Sequence, residues 1–128
     1  MSRTEPSLLI ASGDPEKLAH FYASLFEGDV SREFSNNHYS ISFSGTFQIQ
    51  IYRPSRDTHL LQSQKSAVAI CFKRQTSSKS SLILSKWTHQ IVQLGGEVID
   101  GPYDEPFGLE TWMADPEGNN FLIMVPHS

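Results

Sequence analysis

Apolar and polar positions along the chain switch between a helical and a strand period, and the switches outline two similar halves. Leu8 to Ala11 is a short apolar run bounded by Pro6 and Gly13, which predicts a strand. Asp14 follows as an N-cap, Pro15 suits the first helical position, and Glu16 complements the helix dipole. Leu18, Phe21, Tyr22 and Leu25 then recur at the spacing of one buried helical face, which ends near Glu27-Gly28. Three strand-like runs come next. Asp29 to Phe34 is the weakest, Tyr39 to Phe43 alternates around Ile41, and Phe47 to Tyr52 alternates residue by residue until Arg53-Pro54 stops it. The first half therefore reads β-α-β-β-β.

Residues 55–65 are polar and irregular and read as a linker, with Leu60-Leu61 able to dock on the body. The second half repeats the order. Ala67 to Phe72 reads as a buried strand. Ser80 or Ser81 is expected to cap a helix from about Leu82 to Leu94, with Ile83, Trp87, Ile91 and Leu94 as its stripe and Gly95-Gly96 as its stop. Glu97 to Asp100, Leu109 to Ala114 and Asn120 to Val125 read as strands, with Asp115-Pro116-Glu117-Gly118 turning between the last two. The repeat is visible in two windows. Phe43 to Pro54 and Asp115 to Pro126 each run turn, alternating strand, proline. The expectation is one domain over 1–128, with a first module at about 5–54 and a second at about 66–126.

Composition narrows the class. The chain has 128 residues, 38% of them hydrophobic and 19% charged, which suits a folded domain able to bury its own core. The net charge of −4 argues against nucleic-acid binding. The single cysteine, Cys71, excludes an internal disulfide. The polar N-terminus and the absence of a long apolar run argue against a signal peptide and a membrane span, so the expected location is the cytoplasm.

Two segments resemble a known superfamily. Gly13 to Val30 (GDPEKLAHFYASLFEGDV) is similar to the opening helix of the vicinal oxygen chelate proteins, the group of glyoxalase I, extradiol dioxygenases and the fosfomycin- and bleomycin-resistance proteins. Leu94 to Pro126, with Phe107-Gly108 and Met113-Ala114-Asp115-Pro116-Glu117-Gly118-Asn119, is similar to their closing half. The resemblance implies an α+β fold of two tandem β-α-β-β-β modules, in which a curved mixed sheet surrounds a cavity. It also implies a homodimer. It does not fix the reaction, because the fold hosts many chemistries.

Metalloenzymes of this group hold a divalent cation with His or Glu from four strand positions. By the family pattern those positions fall here on Ser7, Gln50, Ala67 and Leu122. Only Gln50 carries an atom suited to coordination, and an amide oxygen is a weak ligand. The resemblance therefore points away from metal, and no cofactor is expected.

Family parity, carried along each strand, turns Gln48, Gln50 and Tyr52 toward the cavity and Phe47, Ile49 and Ile51 toward the helix. It turns Asn120, Leu122 and Met124 inward, together with Ser7, Leu9, Ala67, Ala69 and Cys71. Trp112 and Glu110 join them, with Ser40 and His38 as their first-module counterparts, and Phe107 lies on a loop able to close over the site. The expected ligand-binding residues are Gln48, Gln50, Tyr52, Phe107, Trp112 and Met124, and the candidate acid-base residues are His38 and Glu110. Plainer readings stand beside these. His38 follows Asn36-Asn37 and reads as an exposed loop histidine before it reads as a base. Glu110 reads equally as a solvated residue at the sheet edge. Cys71 reads as a small buried filler, and His20 as structural. His59, His89 and His127 lack ligand spacing, and Asp115 and Gly118 read as turn-formers.

The leading expectation is a metal-independent protein, resembling the bleomycin-resistance branch in lacking metal ligands, that binds a small neutral or cationic molecule in an aromatic and amide-lined cavity. A metal-free lyase or isomerase using His38 or Glu110 is the alternative. Behind it stand a displaced metal site formed by His38, Gln50 and Glu110, and a partner-binding subunit with a vestigial pocket.

Overall fold

The computed structural model describes residues 7–33, 35–45, 47–54, 68–75 and 79–127. The linker expected at 55–65, Leu60-Leu61 within it, Ala67 and Phe34 lie outside the described residues. The chain forms two compact units, Met1–Gln62 and Ser63–Ser128. The first holds β1 (Leu8–Ala11), α1 (Pro15–Phe26), β2 (Asp29–Arg32), β3 (His38–Ser42) and β4 (Gln48–Tyr52). The second holds β5 (Ile70–Lys73), α2 (Ser80–Gln93), β6 (Glu97–Glu105), β7 (Gly108–Ala114) and β8 (Asn120–Pro126). Each unit is thus a β-α-β-β-β module with its own four-stranded sheet, ordered β1-β4-β3-β2 in one and β5-β8-β7-β6 in the other. In both sheets the strand before the helix pairs in parallel with the last strand, and the other pairs are antiparallel.

The first helix forms as its sequence dictates. The Asp14 carboxylate accepts the Lys17 N–H at 3.2 Å, Pro15 occupies the first turn, and Leu18, Ala19, Phe21, Tyr22 and Leu25 are buried. Its left-handed C-terminal residue is Glu27 at φ 59°, not Gly28. Gly28 is required for a different reason: a Cβ there would stand 2.5 Å from Ile41 Cγ2 and 2.9 Å from Phe43 Cε1. The helix packs on β2, β3 and β4. Beneath it lie Tyr39, Ile41, Ile49 and Ile51, all buried. Alternation along β4 then places Gln48, Gln50 and Tyr52 on the far face.

The second module departs from expectation in three places and the first in one. Neither Ser80 nor Ser81 caps α2. The cap is Lys79, which makes no side-chain capping bond, and Ser80 is buried in the first turn with its hydroxyl donating to Pro126 O at 2.9 Å. The buried stripe is Ser80, Leu84, Trp87 and Ile91, whereas Ile83 is half-buried and Leu94 exposed. The three-residue step from Leu84 to Trp87 turns this stripe away from Ile83. The strand expected to stop at Asp100 runs on to Glu105, passing Gly101-Pro102 through shifts of register. Proline is tolerated there because β6 is an edge strand. In the first module, Phe47 precedes β4 and does not pack under α1. It is 46% exposed and stacks on Phe43 across the turn at 6.4 Å between ring centres.

The second core consists of Leu84, Trp87, Ile91, Met113, Phe121, Ile123 and Val125, with Phe72 meeting Phe121 edge-on at 5.9 Å and the Arg74 guanidinium 4.3 Å over the Trp87 ring. The Asp115 turn is tied by its own carboxylate, which accepts the Glu117 and Asn119 N–H groups and the Asn119 amide at 2.8–3.0 Å. Asp115 is buried, so these bonds satisfy a carboxylate that would otherwise be costly to enclose. Among the described residues, no helix is long and apolar enough to cross a membrane.

Candidate functional site

In the first module the face away from α1 is mostly polar, with Leu9 exposed beside Gln50. Strand register sets Leu9, Gln50, Ser40 and Ser31 in one row across the sheet, and Ala11, Tyr52 and His38 in the next. The side chains on this face hold one another. Gln50 Nε2 donates to Ser7 Oγ at 2.9 Å, and Gln50 Oε1 lies 2.8 Å from His38 Nε2. Ser40 is buried and its hydroxyl donates to a Glu33 carboxylate oxygen at 2.6 Å. Gln48 is exposed opposite Ser42, one row beyond Gln50, and donates to Ser42 Oγ at 3.2 Å. Tyr52 is half-buried opposite His38.

His38 is therefore not a loop histidine. It is the first residue of β3, half-buried and bonded to Gln50. Of the residues named from sequence, Gln48, Gln50, Tyr52 and His38 come together on this face. The Glu33–Ser40 pair was not anticipated. The period of two already placed Ser40 here, but Glu33 lies beyond the end of β2 and reaches over to β3.

The second module presents a different far face. Cys71, Leu122, Trp112 and Asp100 form one row, and Lys73, Met124, Glu110 and Tyr103 the next. Trp112, Leu122, Met124 and Glu110 are each half-buried. Glu110 is not at a sheet edge, since β7 lies between β8 and β6. Phe107 sits in the β6–β7 turn, 52% exposed, where its carbonyl accepts the His127 N–H at 3.3 Å. His127 Nε2 also lies 2.9 Å from Asp104 Oδ1 and 3.1 Å from Glu105 O, so the end of the chain is tied to that turn. His20 and His89 are exposed, and His59 is outside the described residues.

Cys71 is exposed on this face and is not a buried filler. Desolvation raises its thiol above the ordinary value, the Glu110 carboxylate raises it further, and Lys73 partly offsets both. The Tyr103 phenol is likewise raised by its 2.6 Å bond to Asp100 and by that carboxylate's charge. Lys73 was legible from the alternation of Ala69 and Cys71. Asp100 and Tyr103 were not, because the Gly101-Pro102 pair disguises a continuous strand.

The four positions that hold metal in the superfamily do not fit a divalent cation here. Ser7 and Gln50 hydrogen-bond to each other, Leu122 has no donor atom, and Ala67 lies outside the described residues. His38 and Gln50 do meet, but Glu110 belongs to the other unit. Among the described residues, no group of three or more His, Cys, Asp or Glu side chains is placed to hold a metal ion.

Residues 7–124 match the profile of a glyoxalase-like domain. No curated protein matches the chain at a significant level. The fold is shared with solved structures at low identity. One is a glyoxalase/bleomycin resistance protein/dioxygenase family enzyme from Burkholderia phytofirmans PsJN, at TM-score 0.77 and 16% identity over 94% of this chain and 96% of that one. Another is TnmS3, an antibiotic binding protein from Streptomyces sp. CB03234, at TM-score 0.63 and 16% identity over 98% and 97%. A third is a lactoylglutathione lyase from Agrobacterium tumefaciens, at TM-score 0.60 and 13% identity over 93% and 90%.

Proposed function

The chain belongs to the glyoxalase-like domain family, and from that premise we propose that it is a metal-independent protein that binds a small molecule. The observation that carries this reading is what stands at the family's metal positions. Gln50 and Ser7 direct their polar atoms to each other and to His38, and Leu122 pairs with Trp112. Polar groups on the first module's far face suit a hydrogen-bonding ligand. Trp112, Leu122 and Met124 on the second module's own far face suit an aromatic or aliphatic ligand. The acids Glu33 and Glu110 on these faces, with the net charge of −4, favour a neutral or cationic molecule. An antibiotic binding protein among the structural neighbours supports sequestration as the mode of action. A homodimer in the cytoplasm is part of the same proposal.

The alternative is a metal-free enzyme. It is favoured by one observation: the imidazole of His38 is fixed by Gln50 at 2.8 Å, as an acid-base group requires.

A thermal-shift screen with neutral and cationic aromatic molecules tests the proposal. A ligand at 100 times its Kd adds about 2.7 kcal/mol to stability and raises Tm. Gln50→Ala should weaken that shift for a ligand held on the first module's face, and Trp112→Ala for one held on the second's. Elemental analysis after incubation with Ni, Zn, Fe and Mn should find far less than one ion per chain. Near one ion per chain, lost in Gln50→Ala, overturns the metal-free reading.

A further inference from the structure

We infer that Gln50 is a positioning residue for His38. In this role a side chain at a family metal position fixes the tautomer of an imidazole. The inference rests on the reading of the first module's far face as a ligand-binding face. The argument is one of donors and acceptors. The Gln50 amide nitrogen donates to Ser7 Oγ at 2.9 Å, which directs the amide oxygen at His38 Nε2, 2.8 Å away. An amide oxygen carries no proton. The proton between these atoms therefore belongs to Nε2. Neutral His38 is then the Nε2–H tautomer, with the ring's lone pair on Nδ1.

The strands supply the rigidity this needs. Gln50 and His38 lie on paired antiparallel strands, with His38 opposite Tyr52 and Gln50 opposite Ser40. Ile49 and Ile51, fully buried on either side of Gln50, fix the strand that presents it. Ser7, next to the first residue of β1, comes from the parallel neighbour of β4, so the chain of three groups spans three adjacent strands. Such a chain has two settings, because reversing the amide makes His38 Nε2 an acceptor and Ser7 a donor. The present setting is the first.

Two-bond ¹H–¹⁵N correlation spectra of uniformly labelled protein at neutral to mildly alkaline pH read the tautomer directly. The His38 signals are assigned by their loss in His38→Asn. Wild type should show a pyrrole-type Nε2 and a pyridine-type Nδ1. Gln50→Glu keeps an acceptor and removes the donor, so it should retain that pattern. Gln50→Leu removes both and should give a mixture of tautomers, with an unchanged far-ultraviolet circular dichroism spectrum. An Nδ1–H tautomer in wild type overturns the inference, as does a spectrum identical in wild type and a folded Gln50→Leu. If Gln50→Leu does not fold, wild type and Gln50→Glu decide: loss of the Nε2–H pattern in Gln50→Glu is then the overturning result. Ligand binding is scored separately by thermal shift. A silent screen with the expected tautomer defeats the binding reading alone, and a binding protein with the wrong tautomer defeats only the role of Gln50.

Discussion

Cys71 shows how a single side chain takes its chemistry from its row. Its strand neighbours Phe72 and Ile70 point to the helix side, so Cys71 and Lys73 point away. Leu122 pairs with Cys71 in the sheet, and Glu110 raises its thiol through charge, after desolvation has raised it already. A raised thiol holds less thiolate at neutral pH and reacts slowly. The rate of Cys71 alkylation by iodoacetamide should therefore rise with pH to a midpoint above that of a free thiol. Glu110→Gln removes a nearby negative charge and should move the midpoint down, whereas Lys73→Met should move it up. A midpoint indifferent to both substitutions contradicts the placement of these three residues on one face. The sequence alone gave Cys71 the wrong environment. Alternation told its parity, but only the structure shows that this side of the sheet leaves it exposed.

The two helices differ at their N-termini, and stability should follow that difference. Asp14 closes α1 with a side-chain acceptor, whereas Lys79 leaves the first turn of α2 without one and adds a positive charge at the positive end of the helix dipole. Lys79→Asp should stabilise the protein by about 1 kcal/mol in urea denaturation, and Lys79→Ala should change little. No gain from the aspartate would show that this helix end is already satisfied. Cap signals in sequence were reliable where residue type and helix start coincided, as at Asp14-Pro15. They misled at Ser80, whose hydroxyl is drawn to Pro126 O by packing against the last strand. The same competition hid the length of β6. Gly101 and Pro102 read locally as a strand end, yet pairing of Tyr103 with Glu110 and of Glu105 with Gly108 continues the sheet.

Across the whole molecule, two modules of one topology carry faces of different chemistry. Ser40–Gln50 in one and Trp112–Leu122 in the other are equivalent cross-strand pairs, each joining the third and fourth strands of its sheet. One pair is polar and the other apolar. Neither supplies a His or carboxylate, so a chelator should have nothing to remove. Dialysis against EDTA should leave both Tm and any ligand-induced shift unchanged. A fall in Tm reversed by one added divalent metal would contradict the reading. The sequence by itself determined the two modules and, Phe47 apart, the helix-facing sides of their sheets, because both depend on residue type and on periods of 2 and 3.6 along the chain. Tertiary structure decided which polar groups bond to which. Ser7 meets Gln50 across 43 positions of sequence, and Gln50 meets His38 across 12. Those contacts are set by strand order and register, and no local pattern in the chain encodes them.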